Sequence, residues 1–351
     1  MSRFARSSRS VRYAAIVTGF IAATACSNDA TSILGPVSHG GDSVTVAPAP
    51  THTDSTTGSL LSLIGSSFWV DPSSRARSTA DSWRATRPSD AAQMDKLANA
   101  PSARWIGNWN TNVQADVNAA SATMAASGAM PVFVAYNIPQ RDCGGYSGGN
   151  LTAPAAYKTW IDAFASGLGN RRAVIVLEPD ALAGMDCLSP ADQQVRLDLL
   201  SYAVQQFTAK NGVAVYIDAG NPHWKSAAVM ADRLKSAGVG RAQGFSLNVS
   251  NFYLTSDNVS YGTDVASRVG GKHFIVDTGR NGLGPTADAQ WCNPDGRALG
   301  NLPTTATGSV LVDAYLWIKT PGESDGICNG SPSAGTWMPE YALGLAQRAS
   351  F

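Results

Sequence analysis

The sequence predicts an α/β protein folded as a distorted parallel (β/α) barrel of about seven strands. Short apolar runs alternate with longer stretches of helical composition across residues 66–351. One run, 174–177, is apolar at every position, the mark of a strand buried on both faces. Polar side chains also recur just beyond nearly every run, where a parallel barrel collects the groups that do its chemistry.

From the N-terminus, Arg3, Arg6, Arg9 and Arg12 precede an apolar segment, 14–25, that is too short to span a bilayer, so residues 1–26 read as an export signal. Ala23-Thr24-Ala25-Cys26 resembles a bacterial lipobox, in which the cysteine becomes the lipidated first residue. Ala23 stands where that motif carries Leu, so a simple cleaved signal is the alternative. Residues 27–65 mix Ser, Thr, Pro, Gly and Asp without apolar periodicity and are expected to form a flexible linker. The folded domain is expected over 66–351, with strands at 103–109, 130–136, 173–177, 213–219, 244–249, 273–278 and 310–318. Helices are expected near 112–126, 155–168, 190–209, 226–237, 259–269 and 339–347. Trp83 and Trp160 fall on helical stretches and are expected in the core.

Composition narrows the partners. The 26 basic residues balance 26 acidic ones, and no basic run lies beyond the N-terminus, so the chain offers nucleic acid no electrostatic footprint and suits an uncharged substrate. A monomer is expected, reaching a membrane only through the lipid at Cys26, and either envelope-anchored or secreted. Setting Cys26 apart leaves Cys143, Cys187, Cys292 and Cys328, an even number that suggests disulfides in an exported chain. Three connectivities exist. Cys143–Cys187 with Cys292–Cys328 is favoured because each pair follows the ends of strands that can be neighbours, and the first closes a loop worth about 4 kcal/mol. No Cys-x-x-Cys pair or histidine cluster occurs, so neither a metal nor a cofactor is expected.

The residues beyond the strands are Asn108, then Tyr136 with Arg141 and Asp142, then Glu178 and Asp180, Asp218, Asn248 and Asn251, Asp277, and Lys319 with Glu323 and Asp325. Trp105, Trp109, Trp224, Trp291 and Trp317 lie at or beyond the same ends, about half of them expected to be core. Sugar rings pack their C–H faces on aromatic rings, while their hydroxyls need carboxylates and amides, so such a lining suits an oligosaccharide. A non-catalytic glycan-binding protein would need the tryptophans but not the acids.

Seven motifs then carry a family resemblance: VFVAYNIPQRDCGGYSGG from Val132, VIVLEPDALA from Val174, VYIDAGNPHW from Val215, GFSLNVSNF from Gly244, FIVDTGRNG from Phe274, QWCNPDG from Gln290 and WIKTPGESDG from Trp317. In this order and spacing they resemble glycoside hydrolase family 6, the inverting cellulases, over 66–351. The resemblance implies that Asp180 is the general acid and that Asp142 is the neighbour that raises its pKa and helps relay a proton. It implies Asp325 as the base; the alternative is that Lys319 or Arg280 holds Asp325 and the water is deprotonated through a relay. Tyr136, Arg141, Lys319 and Glu323 match groups around the sugar at the cleavage point. Asp218, Trp105, Trp224 and Trp291 match flanking subsites, Ser147 a water-positioning serine, and the cysteines the family's two disulfides. Asn248 and Asn251 are carried as further substrate-binding candidates. The chain departs from many relatives after DAG, where Asn221-Pro222-His223 replaces a histidine, so His223 takes no role.

An inverting hydrolase separates its acid and base by roughly 6.5–9.5 Å so that a water fits between base and anomeric carbon. Asp180 and Asp325 follow different strands, which permits that gap. Endo rather than exo cleavage of β-1,4-glucan is expected, because only a short segment, 328–336, separates the GESDG motif from the next helical stretch. An exo-acting cellobiohydrolase of the same family is the alternative.

Overall fold

The computed structural model of the chain describes residues 67–149, 151 and 153–351; the export segment, Cys26 and the linker lie outside the described residues. Its frame is a sheet of β1 (Arg104–Gly107), β2 (Val132–Tyr136), β3 (Ala173–Leu177), β4 (Val213–Asp218), β5 (Gly244–Leu247), β6 (His273–Asp277) and β7 (Val312–Leu316). All neighbours pair in parallel, in chain order. Alternation along each strand divides the core. Val174 and Val176 point inward to meet Val134, Tyr216, Ile275 and Ala314. Ile175 and Leu177 point outward with Phe133 and Val215, against helical residues such as Val117, Ile161 and Leu200. Each such side chain contributes about 1.5–3 kcal/mol by leaving water.

The edges of the sheet meet without a full ladder. Ala103 N–H donates to Trp317 O at 2.9 Å and the Trp105 indole N–H to Ile318 O at 2.8 Å, drawing β1 toward β7. The result is a curled, incompletely closed barrel, in line with the distorted seven-stranded barrel expected from the sequence.

Helices α1 (Arg75–Trp83), α2 (Pro88–Ala98), α3 (Val113–Ala126), α4 (Pro154–Leu168), α5 (Pro190–Thr208), α6 (Ala227–Ser236), α7 (Thr255–Arg268) and α8 (Pro339–Gln347) lie around it. Their starts are chemically marked. Ser74, Asn112, Ser189 and Ser226 side chains accept backbone N–H groups at the N-termini of α1, α3, α5 and α6. Proline opens α2, α4, α5 and α8, where its missing N–H loses nothing. The sequence reading placed Trp83 on a helix without bounding α1 or α2, and began α7 four residues late. β2 and β3 end where expected, at Tyr136 and Leu177, whereas the other five strands stop one or two residues early; β5 stops at Leu247, where Asn248 turns to φ 65°. A third apolar cluster joins α1, α2 and α8 over Leu299 and Trp317.

Candidate active site

At the C-terminal ends of the strands the chain leaves the sheet through residues of unusual backbone geometry. Asp142, Glu178, Asp180, Asn248 and Ser250 all have positive φ, between 49° and 70°. Non-glycine residues pay about 1–3 kcal/mol each for that conformation, and it persists where surrounding bonds over-determine it. Those bonds come from buried carboxylates. Asp277 accepts the N–H groups of Ser250, Gly279, Ile318 and Lys319, tying the turns after β5 and β7 to the end of β6. Glu178 accepts the Asn137 and Ile138 amides at 3.0 Å and is wholly buried.

Above this layer lies a cleft of about 1320 Å³. Trp105, Trp109, Trp224 and Trp291 line it, and so do Asp142, Asp180 and Asp325. The last three tryptophans are 39–53% exposed, whereas Trp317 is a core residue at 1%. Trp160 packs partly buried against the main core and Trp83 against the α1–α2–α8 cluster.

Asp180 carries the most perturbed carboxyl of the cleft. Burial pushes its pKa well above the ordinary range, and the charges of Asp218, Asp142 and Asp325 push it further. Asp218 Oδ1 accepts the Asp180 backbone N–H at 2.9 Å and that of Gly220 at 3.1 Å, so Asp218 supports Asp180 from beneath. Asp142 is held by a separate set of contacts. Its Oδ2 accepts both the N–H and the hydroxyl of Ser147 at 2.9 Å, and the Ser147 oxygen lies 2.9 Å from the Tyr136 hydroxyl. Arg141 spends its guanidinium on the Ser147 carbonyl, the Tyr136 carbonyl and Asn108 Oδ1, and stacks 4.2 Å over the Tyr136 ring.

On the opposite wall, Asp325 Oδ2 accepts Arg280 Nη1 at 2.8 Å and the Asn293 N–H at 3.0 Å, while Oδ1 lies 3.9 Å from Lys319 Nζ. Burial holds the Lys319 pKa below its usual value and Glu323 above its own; Glu323 faces Arg75 at 3.6 Å. Disulfides join Cys143 to Cys187 and Cys292 to Cys328, so each wall is cross-linked next to one of its aspartates. Among the described residues, no group of three or more His, Cys, Asp or Glu side chains is placed to hold a metal ion.

The cleft therefore brings together Tyr136, Arg141, Asp142, Ser147, Asp180, Trp105, Trp224, Asn251, Trp291, Lys319, Glu323 and Asp325. Two residues read as substrate-binding are not in its wall. Asp218, at 1% exposure, is directed at the Asp180 backbone, and Asn248, at 0%, binds the carbonyls of Tyr253 and Asp277. Both brace loops that line the cleft, because a polar group at a strand end must find partners once the loop covers it. The sequence reading assigned no role to Asn293 and named Arg280 only as a partner for Asp325. Arg280, three residues beyond Asp277, obeys the same strand-end rule; the signal that could have found Asn293 is its place in the QWCNPDG motif. His223 stacks on Tyr253 at 4.4 Å in the cleft wall.

Comparison with known proteins decides the family, because the profile described as "Glycosyl hydrolases family 6" matches residues 63–349. The chain belongs to glycosyl hydrolase family 6. It is 44% identical over 287 residues to Endoglucanase 1 of Streptomyces halstedii, covering 78% of this chain and 87% of that protein. It is 43% identical over 288 residues to Endoglucanase A of Cellulomonas fimi, covering 81% of this chain; the chain spans 62% of that longer relative. Among solved structures it resembles the endoglucanase Cel6 from Mycobacterium tuberculosis, in complex with methyl-cellobiosyl-4-deoxy-4-thio-β-D-cellobioside. That match has 48% identity and a TM-score of 0.78, and covers 81% of this chain and 97% of the other. As a family 6 member the protein is a glycoside hydrolase.

Proposed function

We propose that this family 6 hydrolase cleaves internal β-1,4-glucosidic bonds of cellulose or a related β-glucan with inversion. One observation carries the reading: a carboxyl whose pKa is pushed well above the ordinary range by burial and by three neighbouring aspartates sits in an aromatic-lined cleft large enough for a glucan chain. Asp180 then serves as general acid, giving its proton to the departing glycosidic oxygen as the C–O bond breaks. A water held at Asp325 attacks the anomeric carbon from the opposite face and loses a proton to that carboxylate. Asp142, held by Ser147, keeps negative charge near Asp180 and helps relay a proton, and Trp105, Trp224 and Trp291 supply platforms for glucose rings. The endoglucanase names of the relatives support endo action.

The mature protein is exported as a monomer, with Cys26 lipidated and holding it to the envelope; the two disulfides suit an oxidising compartment. Rapid viscosity loss in carboxymethylcellulose, with α-anomeric product appearing first by NMR, is expected. Cellobiose as the sole early product would make the enzyme exo-acting, and β-anomeric product would remove the inverting mechanism. Mass spectrometry of envelope protein should find acylated Cys26; an unlipidated mature chain starting elsewhere would refute the anchor.

A further inference from the structure

The contacts around Asp325 single out a residue beyond the three aspartates. We infer that Asn293 is a positioning residue for Asp325, holding its main chain and one carboxylate oxygen together so that the other oxygen takes the proton of the attacking water. This rests on Asp325 acting as the base.

Asn293 and Asp325 are reciprocally bonded across two loops 32 residues apart. The Asp325 N–H donates to Asn293 Oδ1 at 2.7 Å, and the Asn293 N–H donates to Asp325 Oδ2 at 3.0 Å. With Arg280 Nη1 at 2.8 Å, Oδ2 holds two donors. Oδ1 has no hydrogen bond among the described residues and faces Lys319 Nζ at 3.9 Å, leaving it available to a water. In the reaction that water gives one proton to Oδ1, its oxygen bonds to the anomeric carbon, and the leaving oxygen takes the proton of Asp180, so atoms and charge balance.

Asn293 is itself rigidly held. It is 4% exposed, and its Nδ2 donates to Ser324 Oγ at 3.2 Å and Gly326 O at 3.0 Å, the residues on either side of Asp325. Its own φ of 47° is a left-handed conformation that Asn tolerates better than most residues. The Cys292–Cys328 disulfide adjoins it on one side and closes the Asp325 loop on the other. A side chain with one acceptor and a two-hydrogen donor can grip three consecutive residues in this way; Ala, Ser or Leu cannot.

Asn293→Gly tests the assignment, because it keeps the backbone N–H and the left-handed φ while removing the amide. Displacing a reacting group by about 1 Å can lower rate by about 10²-fold, so kcat on soluble β-glucan should fall about 10- to 100-fold with KM within about twofold. The loss should be similar on an activated glycosyl fluoride, which needs no acid. Asp325→Asn and the double variant complete the cycle: if Asn293 acts through Asp325, the double variant is no slower than Asp325→Asn alone. Asp325→Asn at the unmutated rate would overturn the base reading itself. An inactive Asp325→Asn beside a fully active Asn293→Gly, or additive losses in the double variant, would overturn only the role of Asn293. Should Asn293→Gly fail to fold, Ser324→Ala, which removes one anchor of the Asn293 amide, must show a smaller kcat loss of about two- to tenfold with the same non-additivity. Full activity or additivity there counts equally against the inference.

Discussion

Glu178→Gln isolates the energetic effect of sealing a carboxyl beneath the cleft. Glu178 accepts two backbone amides at 3.0 Å, yet burial pushes its pKa from the ordinary 4.5 up to about 7. Below about pH 4.5 the group is protonated in the folded and unfolded chains alike and gives no pH dependence. Between about 4.5 and 7 the folded chain retains a proton that the unfolded chain has released, so stability falls as pH rises through that window. At about 1.36 kcal/mol per pH unit the fall amounts to about 3 kcal/mol, complete above pH 7. Gln does not titrate. It keeps one carbonyl acceptor and leaves one amide poorly matched, costing about 1–3 kcal/mol at every pH. The variant should therefore be the less stable protein at pH 5 and recover most of about 3 kcal/mol relative to the parent by pH 8. For a domain of this length that recovery is about 5 °C in Tm. Calorimetric unfolding of both proteins at pH 5 and pH 8 reads the difference directly. Parallel Tm curves would refute the reasoning, because they would mean that Glu178 titrates alike in folded and unfolded chains.

The other expectations concern the cleft. Asp180→Asn should lower the rate on unactivated β-glucan by about 10² to 10⁴ and on an activated glycosyl fluoride far less; hydrolysis of glucan at the parent rate would sink the assignment of the acid. Because neighbouring charge raises the Asp180 pKa, removing it should shift the alkaline limb of the pH–rate profile to lower pH. The shift should be larger in Asp218→Asn than in Asp142→Asn, since Asp218 is the stronger of the two influences; an unmoved limb in both would remove these two charges as causes. Trp291→Ala should raise KM for long cello-oligosaccharides about three- to tenfold, matching about 0.5–1.5 kcal/mol for an aromatic contact, with little change in kcat; an unchanged KM would remove it from the substrate path.

The sequence by itself determined the strand count, the parallel order and the end of the barrel that carries the chemistry, since these follow from local periodicity and from polar residues placed just after apolar runs. It also held the motifs of family 6. Tertiary structure alone decided what each polar residue faces. Glu178 and Asp180 are two positions apart at the end of one strand, yet the first is buried against the Asn137 and Ile138 amides while the second lines the cleft. Asp218 and Asn248 look in sequence like further cleft residues, but neighbouring loops fold over them and claim their hydrogen bonds. Asn293 stands inside the QWCNPDG motif, but its role is not legible there, because its partner Asp325 lies 32 residues away and follows another strand. Burial and pairing are properties of distant chain segments brought together, whereas periodicity is a property of neighbours, so a single sequence shows where the site lies before it shows which side chains open onto it.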